Sequence, residues 1–497
     1  MAAAKGEAEE QSASTKSRRL RRFVFRSAAG LFAALCLLGL VEVAARIFFE
    51  PPAVAQGDPY VSFAELAPLF VLDETGSHYE TNGERLAAFR PQSFAARKRE
   101  STFRIFCLGG STVQGRPYSV ETSFTTWLAL GLRAAEPERN FEVINCGGIS
   151  YASYRLVPIV AELLEREPDL FIIYTGHNEF LEERTYGHLK AMPRWLSSIQ
   201  RQLLELRSYA LVHELVANRR GAESDGEAPS PTVMADAVET RLDAPQGLAS
   251  YHRDDAGREA TIEHFFRNVE TMARTARRAG VGVILINPVS NLGHCAPFKS
   301  EAAPGLGAHV AERVDELRHR ARALDRADTF GKIELLEQAV ALDGRHAGLA
   351  YQLGGCYARL GRLAEAKKWF ERARDEDVCP LRIIEPMHEA ILSVADEHDV
   401  PLVDLRALFE AHSDGGIPGD EWLLDHVHPT IAGHRLIADE LLRKLVDMKI
   451  IAPRPGWTSA RDALWKEHFS TLDDAYHARG AARLERLREW SRGTIPR

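Results

Sequence analysis

The sequence predicts an α/β protein of three layers, a mostly parallel five-stranded sheet between two layers of helices. A helical insertion and an N-terminal transmembrane helix are added to it. Three observations carry this prediction. Short β-branched or aromatic runs recur at 103–108, 141–146, 170–175, 281–288 and 401–405. Each run precedes a helical pattern, over 121–135, 154–166, 258–279, 386–398 and 430–447. The runs are apolar on both faces, which suits parallel strands covered by helices on each side.

The wider composition bounds the class. At 497 residues the chain is long enough for two or three domains plus extensions. With 45% hydrophobic and 27% charged residues it is not disordered, collagen-like or a polytopic membrane protein. Against 62 lysines and arginines stand 70 carboxylates, a formal charge of −8, so no nucleic-acid partner is expected.

Taken in order, the first element is the N-terminal anchor. Residues 1–22 are polar and end in Lys16, Arg18, Arg19, Arg21 and Arg22. From Ser27 to Val41 every residue is small or apolar, and the character continues past Glu42. Counted over 23–49, the stretch meets the ~20 residues a membrane span needs. The basic flank predicts that the tail stays cytoplasmic and the rest is exported. Glu42 and Arg46, four apart, could pair at the outer interface. A cleaved signal peptide is the alternative, because Val43-Ala44-Ala45 resembles a cleavage site. The long tail and long apolar run favour the anchor.

The strand–helix alternation follows, with two interruptions. In the second helix, Leu156, Ile159, Val160, Leu163 and Leu164 form an amphipathic stripe. Residues 180–257 intervene between the third and fourth strands, and 219–232 within them read as a polar flexible loop. The second interruption, 310–380, is periodic: Leu336, Ala339 and Asp343 recur as Phe370, Ala373 and Asp377, 34 positions later. Leu353, Gly354, Tyr357, Gly361 and Ala366 have the spacing of a tetratricopeptide repeat, which this segment resembles. The earlier copy has His319 and Arg320 in place of the Leu-Gly pair, so a single repeat is well formed. So few units do not bury a core alone, and the insertion is expected to dock on the main domain. The last ~45 residues read as two amphipathic helices with no recognisable chemistry. Cys107 and Cys146 read as buried small hydrophobes. Cys295, Cys356 and Cys379 could include one disulfide, and no spacing suggests zinc.

Four blocks at strand ends carry chemistry. Gly109-Gly110-Ser111 would expose a hydroxyl on a sharp turn above the sheet edge. Asn145-Cys146-Gly147-Gly148-Ile149-Ser150 ends the next strand, and Gly176-His177-Asn178-Glu179 ends the third. An asparagine there can offer its side-chain N–H to a developing oxyanion. In Asp425-His426-Val427-His428, an aspartate three residues before a histidine can accept from one ring nitrogen, leaving the other to take a proton. Each of the first three blocks alone is most simply a turn. A metal set of Asp425, His426 and His428 is disfavoured because no separate ligand cluster complements it. His426 and His434 read as surface or packing residues.

Together and in this order, the blocks resemble the SGNH/GDSL hydrolase superfamily. The likeness covers roughly 100–180, 280–290 and 395–447. It implies a flavodoxin-like sheet, Ser111 as nucleophile, His428 as general base, Asp425 as its orienting partner, and Ser150 and Asn178 in the oxyanion hole. It implies no cofactor and no metal. One position departs: Ser150 stands where the family has glycine, which puts the turn geometry in question, although its peptide N–H is retained.

The organisation expected is a cytoplasmic tail (1–22), an anchor (23–49), a linker or extension (50–100), a hydrolase domain in two parts (101–309 and 381–450), the helical insertion (310–380) and a C-terminal helical extension (451–497). The expected function is a membrane-anchored, extracytoplasmic serine esterase acting on O-acyl groups of a glycan or lipid. The alternatives are an O-acyltransferase with the same residues, and a non-catalytic platform on which the repeat-like insertion recruits a protein partner.

Overall fold

A computed structural model describes residues 37, 39–44, 61–63, 66–184 and 232–492. The anchor expected over 23–49 lies almost wholly outside them, as does the polar loop at 219–232 apart from Thr232. Among the described residues no helix is long and apolar enough to cross a membrane. From Val61 onward the described residues belong to one compact unit.

The strands are β1 (Val61–Phe63), β2 (Phe70–Leu72), β3 (His78–Thr81), β4 (Ser93–Ala95), β5 (Thr102–Gly109), β6 (Asn140–Gly147), β7 (Leu170–Tyr174), β8 (Thr232–Met234), β9 (Gly282–Asn287) and β10 (Leu402–Asp404). The α-helices are α1 (Ser111–Gln114), α2 (Phe124–Ala135), α3 (Ser153–Leu163), α4 (Asp255–Arg278), α5 (Ala308–Ala323), α6 (Thr329–Leu342), α7 (Ala347–Arg359), α8 (Leu363–Asp375), α9 (Glu385–Glu397), α10 (Leu405–Ala411), α11 (Ile431–Asp447), α12 (Trp457–Ser470) and α13 (Asp474–Ser491).

The central sheet has the order β10-β9-β7-β5-β6, and every pairing in it is parallel. Alternate strand residues feed two cores, as the period of two requires. Phe106, Leu108, Phe171, Ile173, Val283 and Leu285 pack with side chains of α3, α4 and α9. Ile105, Cys107, Leu170, Ile172, Ile284 and Ile286 pack with α2 and α11 on the opposite face. The result is the three-layer arrangement, with the strand order reversing beside β5, where α/β proteins bind ligands.

The segment 50–100, expected as a linker or extension, contains a second sheet, the antiparallel β2-β3-β4. Its strands are three or four residues long and half exposed, too short to show periodicity. Tertiary contact makes them: Phe94 meets Phe70 and Phe106 edge-on at 5.0 and 5.5 Å.

In the helical insertion, α5 to α8 enclose their own apolar cluster, which also takes in Leu292 and Ile417 of the main domain. Gly354 is where α7 meets α8, since a Cβ there would lie 2.7 Å from the Phe370 ring. The insertion is tied down by Tyr351 Oη donating to Gly293 O (3.0 Å) and by ion pairs Lys367–Glu410 (2.8 Å) and Arg406–Glu371 (3.0 Å). The described cysteines are free thiols, Cys295, Cys356 and Cys379 among them.

Candidate active site

Strand register assembles the site. β5 pairs with β6 and β7 so that Gly109, Gly147 and Tyr174 stand level at the carboxyl edge. The three following loops therefore emerge side by side. The first turns into α1, whose opening residue is Ser111. Gly110 leaves room there for the Asn178 amide, whose Nδ2 would lie 2.5 Å from a Cβ. Gly147 is required, a Cβ lying 2.2 Å from the Gln114 backbone nitrogen.

The β7 loop carries Asn178, whose Nδ2 donates to Tyr151 O at 3.0 Å. An amide has a second N–H on that nitrogen. The adjacent Glu179 is fully buried and accepts from the Ser153 N–H (2.7 Å) and hydroxyl (2.9 Å). It thereby pins this loop to the N-terminus of α3. Burial raises the Glu179 carboxyl above its usual range, against the opposing Arg184 charge and the Ser153 bonds.

The Ser150 backbone is left-handed, with φ +61°. This is a conformation that favours glycine, and here an L-residue is held in it by the surrounding loop.

His428 and Asp425 come from the loop before α11. That loop is closed by Leu424 N–H donating to His428 O (2.8 Å) and Thr430 N–H to Trp422 O (2.8 Å), and Thr430 caps α11 through Gly433 N–H (3.0 Å). His428 Nδ1 lies 2.7 Å from Asp425 Oδ2, and His428 Nε2 lies 2.8 Å from Ser111 Oγ. Asp425 Oδ1 also accepts from the Val427 and His428 N–H groups (2.9 and 2.8 Å). Both side chains are buried. Burial alone would raise the Asp425 carboxyl. The neighbouring His428 and His426, with hydrogen bonds from His428, outweigh this and hold it well below the usual carboxylate range. An ionised Asp425 fixes the proton on Nδ1 and leaves Nε2 to accept from the Ser111 hydroxyl.

Neither His426 nor His434 is a surface residue. His434 is a packing residue, its Nδ1 accepting from the Phe124 N–H at 3.2 Å. His426 lines the same pocket as Ser111 and His428, with its ring 6.0 Å from that of His428. Burial pushes it down to about 4, so it is neutral at pH 7.

Ser111, Ser150, Asn178 and His428 line one pocket of about 350 Å³. Its other wall was not legible as functional: Arg483, Arg486, Leu487 and Trp490, all from α13, face the same space. The signal was the spacing of Tyr476, Gly480, Arg483, Leu487 and Trp490, a helix face with Arg483 set inside it.

Residues 320–378 match the family model of the tetratricopeptide repeat. No curated protein sequence matches the chain. Among solved structures, the chain is similar to a protein of the lipolytic G-D-S-L family from Desulfitobacterium hafniense, at 12% identity and a TM-score of 0.30, covering 69% of this chain and 99% of that one. It is also similar to an acetylxylan esterase from Geobacillus stearothermophilus (13%, 0.32, covering 69% and 94%). A lipase/acylhydrolase from Enterococcus faecalis is a further neighbour (14%, 0.31, covering 71% and 100%).

Proposed function

We propose that the protein is a serine ester hydrolase that works through an acyl-serine intermediate. The observation that carries this reading is the unbroken chain Asp425–His428–Ser111, with contacts of 2.7 and 2.8 Å, opening into a pocket. Ser111 Oγ attacks the ester carbonyl while its proton passes to His428 Nε2. The imidazolium so formed is stabilised by Asp425, and its proton then goes to the leaving alkoxide. The oxyanion is held by the peptide N–H groups of Ser111 and Ser150 and by the Asn178 side chain. Water, deprotonated by His428, cleaves the acyl-enzyme and regenerates Ser111. A sugar hydroxyl in place of water would make the same residues an O-acyltransferase.

The basic cluster before residue 23 and the apolar run after it support a single N-terminal anchor with the catalytic part outside the cytoplasm. O-acyl groups of surface glycans or lipids are then the accessible substrates, and the repeat-like insertion would be the surface for a protein partner. The test is hydrolysis of p-nitrophenyl acetate by the full-length chain and by Ser111→Ala. The reading expects turnover in the first and none above background in the second. Equal rates in both would overturn it.

A further inference from the structure

The α13 wall of the pocket and the loop beside it concentrate positive charge. Arg483 and Arg486 project into it from α13, and Arg116 from the loop after α1. Around Arg483 stand the like charges of Arg90, Arg479 and Arg486. Burial and these like charges depress its guanidinium. Arg483 donates to Tyr118 O (2.8 Å), a neutral acceptor. Arg90 has a buried Nε with no partner among the described residues.

The arrangement is also rigidly built. Tyr476 stacks on Tyr118 at 5.8 Å, and its Oη lies 2.8 Å from Thr122 Oγ1. Gly480 lets α13 press onto Tyr118, whose ring would lie 2.1 Å from a Cβ. Toward the other end, Arg488 donates to Leu424 O (2.8 Å), next to Asp425, and Trp490 Nε1 donates to Asp243 Oδ1 (2.8 Å). Three guanidiniums facing one pocket repel one another, and an anion seated among them relieves that repulsion. Guanidinium forks match carboxylate and phosphate oxygens in pairs.

We infer that the ester taken by this pocket bears an anionic group, a carboxylate or phosphate, which seats on Arg483 and Arg486 while the scissile carbonyl faces Ser111. This rests on the esterase reading for the reaction and on the arginine wall for the specificity. Charge at the mouth also predicts salt-sensitive capture, since screening acts over ~8 Å at physiological ionic strength.

Two measurements test it on the full-length chain. The first compares kcat/KM for p-nitrophenyl acetate with that for p-nitrophenyl hydrogen glutarate, which carries a carboxylate on the acyl chain. The anionic ester is expected to be preferred by about tenfold or more at low salt, the equivalent of roughly 1.4 kcal/mol. Added sodium chloride should shrink the preference. In R483Q/R486Q the ratio should fall toward one, and in R483K/R486K it should recover in part. A ratio near one in the unmodified protein, or one untouched by the glutamine pair, overturns the proposal.

The second measurement is independent of turnover: calorimetric binding of glutarate and of inorganic phosphate to Ser111→Ala, with and without R483Q/R486Q. Tighter glutarate binding would point to a carboxylate, and tighter phosphate binding to a phosphoryl group. Anion binding without any ester hydrolysis would refute the esterase and keep the anion site. Hydrolysis of the neutral ester with neither binding nor preference would refute the anion site alone. Should the glutamine pair fail to fold, the salt dependence of the ratio and competitive inhibition of acetate-ester hydrolysis by phosphate decide the question in the unmodified protein.

Discussion

Ser150 offers the sharpest test of the site's backbone. At φ +61° it pays for a left-handed turn that glycine adopts freely. For an L-residue this conformation costs roughly 1–2 kcal/mol. Replacing Ser150 by alanine keeps that strain, and replacing it by glycine removes it. Both remove the hydroxyl, so comparing the two variants isolates the backbone. Glycine gives back ~0.4–1 kcal/mol through the greater freedom of its unfolded chain. The difference leaves Ser150→Gly more stable than Ser150→Ala by about 0.5–1 kcal/mol. At an ordinary helical position the order is reversed by a similar amount. With a urea slope of ~3 kcal/mol/M, the midpoints should differ by roughly 0.2–0.3 M. The same two variants test the oxyanion hole. Each keeps the peptide N–H at position 150, so each should lose less than about tenfold in p-nitrophenyl acetate turnover. An alanine variant as stable as the glycine one would refute the strained turn. A loss on the order of 10²–10³-fold in both would show that the hydroxyl, not the N–H, is the donor.

Three further outcomes follow from the same geometry. Asp425→Asn should lower kcat by about 10⁴-fold, because an amide does not hold the Nδ1 tautomer that the 2.7 Å contact enforces; steady-state kinetics on p-nitrophenyl acetate measures it. Asn178→Ala should lower kcat by about 10²–10³-fold with little change in KM, and an effect confined to KM would remove Asn178 from the oxyanion hole. The acid limb of kcat/KM should carry no contribution from the Asp425 carboxyl, which stays ionised well below the usual range. The depressed carboxyl also adds stability that is complete above its ordinary pKa of ~3.9 and is lost as pH falls through the folded value. Acid unfolding of Asp425→Asn should lack that component.

The central sheet was legible because its strands are apolar on both faces and each is followed by an amphipathic helix, and neither signal needs tertiary context. Ser111, Asn178, Asp425 and His428 were legible because strand ends and a three-residue Asp–His spacing are local features. The β2-β3-β4 sheet was not, since strands of three or four residues owe their form to Phe70 and Phe94 packing on Phe106. Nor was the burial of His426, which depends on Phe298, over a hundred positions away, standing edge-on at 5.3 Å. The pocket-facing arginines of α13 were not legible either, for a similar reason. In a sequence, an arginine-rich helix looks like a solvated face, and the fold turns that face onto the pocket that Ser111 and His428 line.

The most direct measurement of the central claim is the site of covalent capture by a fluorophosphonate, read by peptide mass spectrometry on the folded protein. A single adduct on Ser111, whose formation slows by orders of magnitude in His428→Gln, is the predicted result. An unlabelled Ser111, or labelling at the same rate in both proteins, would contradict it.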